Sequence, residues 1–382
     1  ADVVLKSPGI SRYDPRALEV TAAGHELSSG TALWMAAHHA ATVAVTGSKG
    51  KSTTSALISH LLTALGLPNT YGGNIGRPLL TLPPAQRYVV ELSSYQCSDL
   101  AHSPQVAVLT ALFPEHLNWH GSVERYYADK LNLVAHGPGA VVYNARDPRL
   151  TEQLLRVADP AVTVPAGVPD GMDVRFDASD RWQLCQHGTV LFDQTATRLR
   201  GRHNAINICL AVSTLAVLRV DPLARRDDIA AALRSFEPLQ HRLSVLPDGG
   251  GLTFVDDSLS TAPQATIAAL EAFPDGPIAV ILGGEDRGVS YRDLREYLAA
   301  ARRPVVAIGI PDSGPRIVAE LDGLPQVTCH CATDLHEAVA LARREVPFGG
   351  TVLLSPGAPS YGRYADYAAR GAAFADAVRD TA

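Results

Sequence analysis

Lysine is nearly absent from this sequence: four residues, Lys6, Lys49, Lys51 and Lys130, stand against twenty-nine arginines. Arginine serves wherever a solvated positive charge suffices. The surviving lysines are therefore candidates for work a guanidinium cannot do, as a compact point charge on phosphate or as an amine that loses its proton. Also missing are any apolar run of about 18 residues and any basic, apolar, small-residue leader. The expectation is a cytoplasmic chain with no membrane partner. The five cysteines, Cys97, Cys185, Cys209, Cys329 and Cys331, include no CxxC pair, which suits reduced thiols. Cys329-His330-Cys331 follows the strand-like Gln326-Val327-Thr328 and has the wrong spacing for a closed zinc site. A formal net charge of -6 argues against nucleic-acid binding. With 46% hydrophobic and 19% charged residues, what remains is an ordinary globular composition with room for two or three domains.

The chain opens without Met on Ala1-Asp2-Val3-Val4-Leu5, a strand-like run, and turns at Ser7-Pro8-Gly9, so it reads as a domain entered partway through. Thr42-Val43-Ala44-Val45 predicts a short buried strand, a glycine loop follows, and residues 55–65 repeat apolar side chains at helical spacing. Two further strands end near chemistry: Tyr88-Val89-Val90-Glu91-Leu92 carries an acid, and Val106-Ala107-Val108-Leu109-Thr110 leads to Glu115-His116. Loops after parallel strands are where open α/β sheets place ligands. Residues 159–198 read as strand-rich scaffold, and 204–218 as a long helix. A boundary is expected near Pro238, after which strands at 253–255, 278–282, 305–308 and 352–354 form a second βαβ series.

Thr46-Gly47-Ser48-Lys49-Gly50-Lys51-Ser52-Thr53-Thr54 carries the clearest chemistry. Backbone N–H groups of such a loop point at phosphate oxygens, Lys51 supplies charge, and the Ser52 or Thr53 hydroxyl reaches a magnesium ion. The spacing Gly47-x-x-Gly50-Lys51-Ser52 is two residues tighter than the common GxxxxGK[ST] form. A glycine turn capping a helix beside a solvated lysine is the plainer alternative, and the flanking strand and helix weigh against it. Glu91 and His116 follow the next two strands and supply donors that suit a divalent cation. Lys130, on its own, reads as a surface lysine.

Taken in order, these residues resemble the Mur ligases, the ATP-dependent amide-forming enzymes of bacterial peptidoglycan assembly, and among them the glutamate-adding members. The resemblance also takes in Ser7-Pro8-Gly9-Ile10, Gly72-Gly73-Asn74-Ile75-Gly76, Glu91-Leu92-Ser93-Ser94-Tyr95-Gln96, His203-Asn204-x-x-Asn207, His241-Arg242, Asp257-Ser258, and Ser355-Pro356 through Arg370-Gly371. It implies an α/β fold of three domains: a truncated N-terminal Rossmann-like domain that binds UDP (remnant 1–30), a central P-loop ATPase-like domain with a parallel sheet (31–238), and a C-terminal Rossmann-like domain that takes the amino acid (239–382). It further implies that Lys51 and Ser52 bind ATP phosphates and magnesium, with Gly47, Ser48, Lys49, Gly50 and Thr53 completing the cradle. Glu91 and His116 would ligate two Mg²⁺ ions together with Ser52 and with Lys130 carbamylated by CO₂, a modification closed to arginine. Asn204 and Asn207 would contact nucleotide, as would Arg242 and Asp257. Ser7, Asn74, Ser93 and Gln96 would face UDP-N-acetylmuramoyl-L-alanine. The chemistry implied is phosphorylation of the alanyl carboxylate by ATP, then attack of the amino acid on the acyl phosphate, in a monomer.

Several positions depart from the usual glutamate-adding pattern. Lys49 stands where Asn is common, Glu115 where Asp usually precedes the histidine, Leu259 where Lys is usual, and Arg287 where a second Lys helps hold D-glutamate. Arg287 with Thr261, Ser360 and Tyr367 still makes a dicarboxylate site. The combination is similar to the less common members that add L-glutamate, and L-glutamate is the expected substrate. The shortened N-terminal domain predicts reduced affinity for the UDP-substrate beside an intact ATP site. Three alternatives stay open: D-glutamate addition, a folylpolyglutamate synthase-like ligase, and a non-catalytic ATP-binding relative.

Overall fold

The computed structural model describes the chain except Ala1, Asp2, Pro8, Ile75, Gly76, Asp170, Pro238–Gln240, Pro274, Arg302 and Ala382, and the side chains of Asn118 and Gln264. The start of the first strand-like run, the proline of Ser7-Pro8-Gly9, the end of the Gly72–Gly76 motif and the expected boundary residue Pro238 thus lie outside the described residues. The chain divides into two compact units, Ala1–Phe236 and Glu237–Ala382.

The first unit is organised by a nine-stranded sheet. Its order in space is Thr189–Asp193, Trp182–Gln186, Met172–Phe176, Thr163–Ala166, Ala140–Asn144, Val106–Leu109, Thr42–Thr46, Tyr88–Glu91, Thr70–Gly73. Seven of these run parallel, from Thr70–Gly73 through Met172–Phe176, and the last two turn antiparallel. The central strands are short and apolar because both faces are covered. Alternate side chains serve opposite cores, as the two-residue period requires. Val43, Val45, Val89, Val106 and Val108 meet helices Lys51–Ala64, Arg202–Val217 and Arg226–Ser235 on one face. Ala44, Val90, Ala107 and Leu109 meet side chains of Gly30–His38, Val123–Leu131 and Pro148–Leu154 on the other. Before this sheet, Val3–Lys6 and Glu26–Ser29 pair in parallel, joined through helix Pro15–Ala22.

The helix after the glycine loop begins at Lys51, four residues earlier than apolar periodicity places it. Its first turn is Lys-Ser-Thr-Thr, polar residues that carry no apolar signal although Ser52, Thr53 and Thr54 are buried. Strands Thr70–Gly73 and Ala140–Asn144 also escape a reading by pattern, the first because two of its four residues are glycine.

In the second unit a six-stranded sheet runs Ser244–Leu246, Thr253–Asp256, Thr351–Leu354, Ile278–Leu282, Val305–Gly309, Val327–Cys331, parallel except for the first pair. Here too Phe254, Ile281 and Leu354 face one core while Val255, Val280 and Leu353 face the other.

Leu61, fully buried on the helix Lys51–Ala64, belongs to the first unit's larger core. Leu61→Ala is expected to cost about 2–5 kcal/mol. All three tryptophans, Trp34, Trp119 and Trp182, lie in this unit. Denaturant unfolding followed by tryptophan fluorescence should therefore show a lower midpoint; an unchanged midpoint would contradict the assigned packing.

Candidate active site

The loop between Thr42–Thr46 and Lys51–Ala64 is shaped by two glycines in backbone regions that side chains avoid, Gly47 at φ +148° and Gly50 at φ +90°. A Cβ on Gly47 would stand 2.0 Å from Thr110 Oγ1, and one on Gly50 would stand 2.6 Å from Asn207 Oδ1. Ser48 clamps the loop from the other side. Its N–H donates to the Ala111 carbonyl (2.7 Å) and its hydroxyl meets the Phe113 carbonyl (2.7 Å) and the Tyr126 hydroxyl (2.8 Å).

Two ammonium groups converge on this loop. Lys51 Nζ donates to the carbonyls of Gly47 (2.9 Å) and Ser48 (3.0 Å), and Lys130 Nζ donates to the same Gly47 carbonyl at 2.9 Å. Lys130 is therefore no surface lysine: it is 3% exposed, on helix Val123–Leu131, its ammonium 5.1 Å from the Tyr126 ring centroid. Burial, and then the charge of Lys51, pull its pKa down to about 7.

Glu91, 1% exposed at the end of its strand, stands across from these lysines in sign. Its Oε1 accepts from Asn74 Nδ2 (2.9 Å), while its buried Oε2 has no hydrogen-bond partner among the described residues. The Thr53 hydroxyl is also buried without a partner there. A buried carboxylate oxygen left unbonded is costly unless something binds it. Glu91 and His116 both act electrostatically on or with Lys130, and an unbonded carboxylate oxygen together with an imidazole is a donor set that suits a divalent cation. His116 sits in the left-handed region (φ +54°) at the start of a short helix. Surrounding protein, with Lys49, Lys51 and Lys130 adding to it against Glu115, brings its pKa down to about 4, although the residue as a whole is exposed. The imidazole is accordingly neutral, the form a metal requires.

Lys49 and Glu115 face each other: Lys49 Nζ lies 3.0 Å from Glu115 Oε1. Burial raises the Glu115 pKa, but Lys49 and Lys51 outweigh it and hold the carboxyl below its ordinary value.

The other expected site residues either bond neighbouring protein groups or are exposed. Asn207 is buried under Gly50, accepts from Thr54 Oγ1 (3.2 Å) and donates to Asn204 Oδ1 (3.0 Å). Ser93 and Gln96 form a reciprocal capping box on the turn Ser94–Cys97, and Gln96 Nε2 reaches Thr31 Oγ1 at 3.3 Å. Ser7 and Asn74 are exposed. In the second unit, Asp257 is buried and accepts from the hydroxyls of Ser260 (2.5 Å) and Ser355 (2.8 Å). Burial is the larger influence on it and raises its pKa to about 6, with those hydrogen bonds and Arg242 opposing. Arg287 pairs with Glu285 (2.7 Å), Ser360 is buried, Thr261 is exposed, and the Tyr367 carbonyl accepts from Ser258 Oγ (2.8 Å).

Sequence reasoning missed Thr110, Tyr126, His120, Asp129 and Ser94. Two had a signal: Tyr126 stands one helical turn before Lys130, and Ser94 lies within the motif from Glu91 to Gln96.

A tight glycine loop between strand and helix, with a buried acid and a depressed lysine beside it, defines an α/β enzyme that handles nucleotide phosphates. The Mur ligase middle domain matches residues 45–215 and the Mur ligase glutamate ligase domain matches residues 241–357. The chain is 54% identical over 387 residues to the "UDP-N-acetylmuramoyl-L-alanine--L-glutamate ligase" of Salinispora tropica, covering 100% of this chain and 84% of that one. It is 42% identical over 392 residues to the protein of the same name from Xanthomonas oryzae pv. oryzae, covering 98% and 81%. It shares its fold with the UDP-N-acetylmuramate-alanine ligase of Thermotoga maritima (TM-score 0.66, 20% identity, 100% and 86% covered). The MurF ligase of that organism, solved with ADP, is also similar in fold (TM-score 0.67, 18% identity, 100% and 95% covered). This chain belongs to the Mur ligase family, and is an ATP-dependent ligase.

Gly50→Ala places a side chain on Asn207 in a backbone region that costs about 1–3 kcal/mol for a non-glycine residue. ADP affinity measured by calorimetry is expected to fall about tenfold or more; wild-type affinity would contradict the loop's assignment as the phosphate cradle.

Proposed function

We propose that this chain joins the amino group of L-glutamate to the alanyl carboxylate of UDP-N-acetylmuramoyl-L-alanine with consumption of ATP, in peptidoglycan precursor synthesis. The observation that carries this reading is the meeting of Lys51 and Lys130 on one loop carbonyl beside the buried Glu91, in a chain 54% identical along its whole length to a relative of that name.

In this reading the loop N–H groups and Lys51 bind the phosphates of ATP, and Ser52, Glu91, His116 and Lys130 hold two magnesium ions. Bound magnesium supplies positive charge that offsets the anions brought together. Lys130 serves as a carbamate: its neutral amine attacks the carbon of CO₂ and gives up one proton, so a cation becomes a carboxylate-like anion. A pKa near 7 leaves much of the amine neutral at physiological pH, which a solvated lysine does not offer. Asn204, Asn207, Arg242 and Asp257 are assigned to nucleotide, Ser7, Asn74, Ser93 and Gln96 to the UDP-substrate, and Thr261, Arg287, Ser360 and Tyr367 to glutamate. Activation of the carboxylate as an acyl phosphate then lets the glutamate nitrogen attack, with phosphate leaving; fixed charges and positioning carry the rate. The protein is assigned to the cytoplasm as a monomer.

Phosphate release from ATP with UDP-N-acetylmuramoyl-L-alanine, compared across L-Glu, D-Glu, D-Asp and glycine, tests the reading. Release with L-Glu well above the others is expected. A preference for D-Glu overturns the isomer, and release with none overturns ligation.

Lys130→Ala and Lys130→Arg are both expected to lower turnover on the order of 100-fold, and a short carboxylic acid should partly restore the alanine variant. An active arginine variant would remove the carbamate from the mechanism.

A further inference from the structure

The structure assigns His120 a positioning role: we propose that its imidazole fixes the relative placement of the three segments that carry Glu91, His116 and Lys130. This rests on the reading that those residues hold a divalent cation.

His120 is fully buried and ends the short helix Leu117–His120, four residues after His116. Its two ring nitrogens reach two other segments. Nδ1 lies 2.6 Å from Asp129 Oδ2, and Asp129 is the neighbour of Lys130 on helix Val123–Leu131. Nε2 lies 3.0 Å from Ser94 Oγ, in the turn that follows Glu91. An aspartate only accepts, so Nδ1–H donates to it and the ring orientation is fixed. The outer oxygen of Asp129 accepts from the Tyr13 hydroxyl at 2.9 Å, so the acid is held at both ends. The ring also meets Tyr126 edge-on at 5.1 Å between centroids, and the Tyr126 hydroxyl bonds Ser48 of the phosphate loop.

A buried, satisfied histidine is ordinarily a matter of stability. Here each bond ends on a different segment, and each segment carries one candidate ligand. A phenylalanine fills nearly the same volume but makes neither hydrogen bond, so it separates filling from positioning. Groups that orient metal ligands without touching the metal typically govern affinity by about 10–100-fold.

The test is the magnesium dependence of ADP binding, measured by calorimetry on wild type, His120→Phe and Ser94→Ala, with phosphate release measured in parallel. His120→Phe is expected to raise half-saturating Mg²⁺ about tenfold and to lower kcat while leaving the KM for L-glutamate unchanged. Ser94→Ala, which removes one hydroxyl, should shift Mg²⁺ in the same direction by less. In wild type the His120 Nδ1 proton should appear as a low-field resonance in ¹⁵N-histidine spectra, and His120→Phe should lose it. A variant that melts earlier yet keeps the wild-type Mg²⁺ requirement overturns the proposal. Should His120→Phe fail to fold, Ser94→Ala decides, an unshifted requirement being the overturning result. Wild type that binds Mg-ADP but ligates nothing sinks the proposed function while the Mg²⁺ readout still judges His120. Wild-type ADP binding that is indifferent to Mg²⁺ overturns both the cation reading and this proposal.

Discussion

Two ammonium groups sharing the Gly47 carbonyl are the constraint on which the rest of the site depends. Burial penalises the charged form of Lys130 first, the like charge of Lys51 adds to it, and Lys130 responds by losing much of its preference for the proton. Such an arrangement is unfavourable for a fold by itself and favourable for one that takes up phosphates. Glycine at 47 and 50 has a separate cause, the close approach of Thr110 and Asn207 to a loop whose backbone is in positive-φ regions.

The other two lysines fall into place around this one. Lys49 is held by Glu115, so the residue before His116 is tied to the tip of the phosphate loop. Lys6 pairs with Asp99 at 2.6 Å with both side chains buried, and its ammonium lies 5.5 Å from the Trp119 ring centroid. A buried pair of this kind is hard to break, since removing one partner strands the other's charge at about 3–5 kcal/mol. Neither is a spare surface cation, and each joins segments distant in sequence.

What the sequence made legible was whatever is local. Strand, glycine loop and helix follow one another along the chain, and the acid at the end of Tyr88–Glu91 is visible as the end of an apolar run. Illegible was whatever depends on the crossing of segments. Nothing in a linear reading joins His120 to Ser94, Tyr126 to Ser48, or Lys49 to Glu115. Ser93 and Gln96 are an instructive middle case. Their S-x-x-Q spacing is a capping box, yet family resemblance drew attention to substrate and away from the local hydrogen bonds that the pair makes.

In the proposed reading, the choice between glutamate enantiomers in the second unit rests on the direction of groups and not on a count of charges. Arg370 is fully buried, and burial lowers its pKa to about 10. It donates to Ser258 Oγ (3.0 Å), the Ser258 carbonyl (2.8 Å), the Gly283 carbonyl (3.2 Å) and the Ala358 carbonyl (3.0 Å). Those acceptors belong to loops that follow three neighbouring strands, Thr253–Asp256, Ile278–Leu282 and Thr351–Leu354. Only a planar fork with several fixed donors can set three loops at once; a lysine at the same place offers a single point. The proposed glutamate contacts Thr261, Arg287 and Ser360 lie on these same loops. Leu259 and Arg287 are therefore mounted on loops that Arg370 ties together. Two enantiomers with identical charges differ only in the directions of their groups, and loops tied to one shared guanidinium are what would turn a change of direction into a change of affinity.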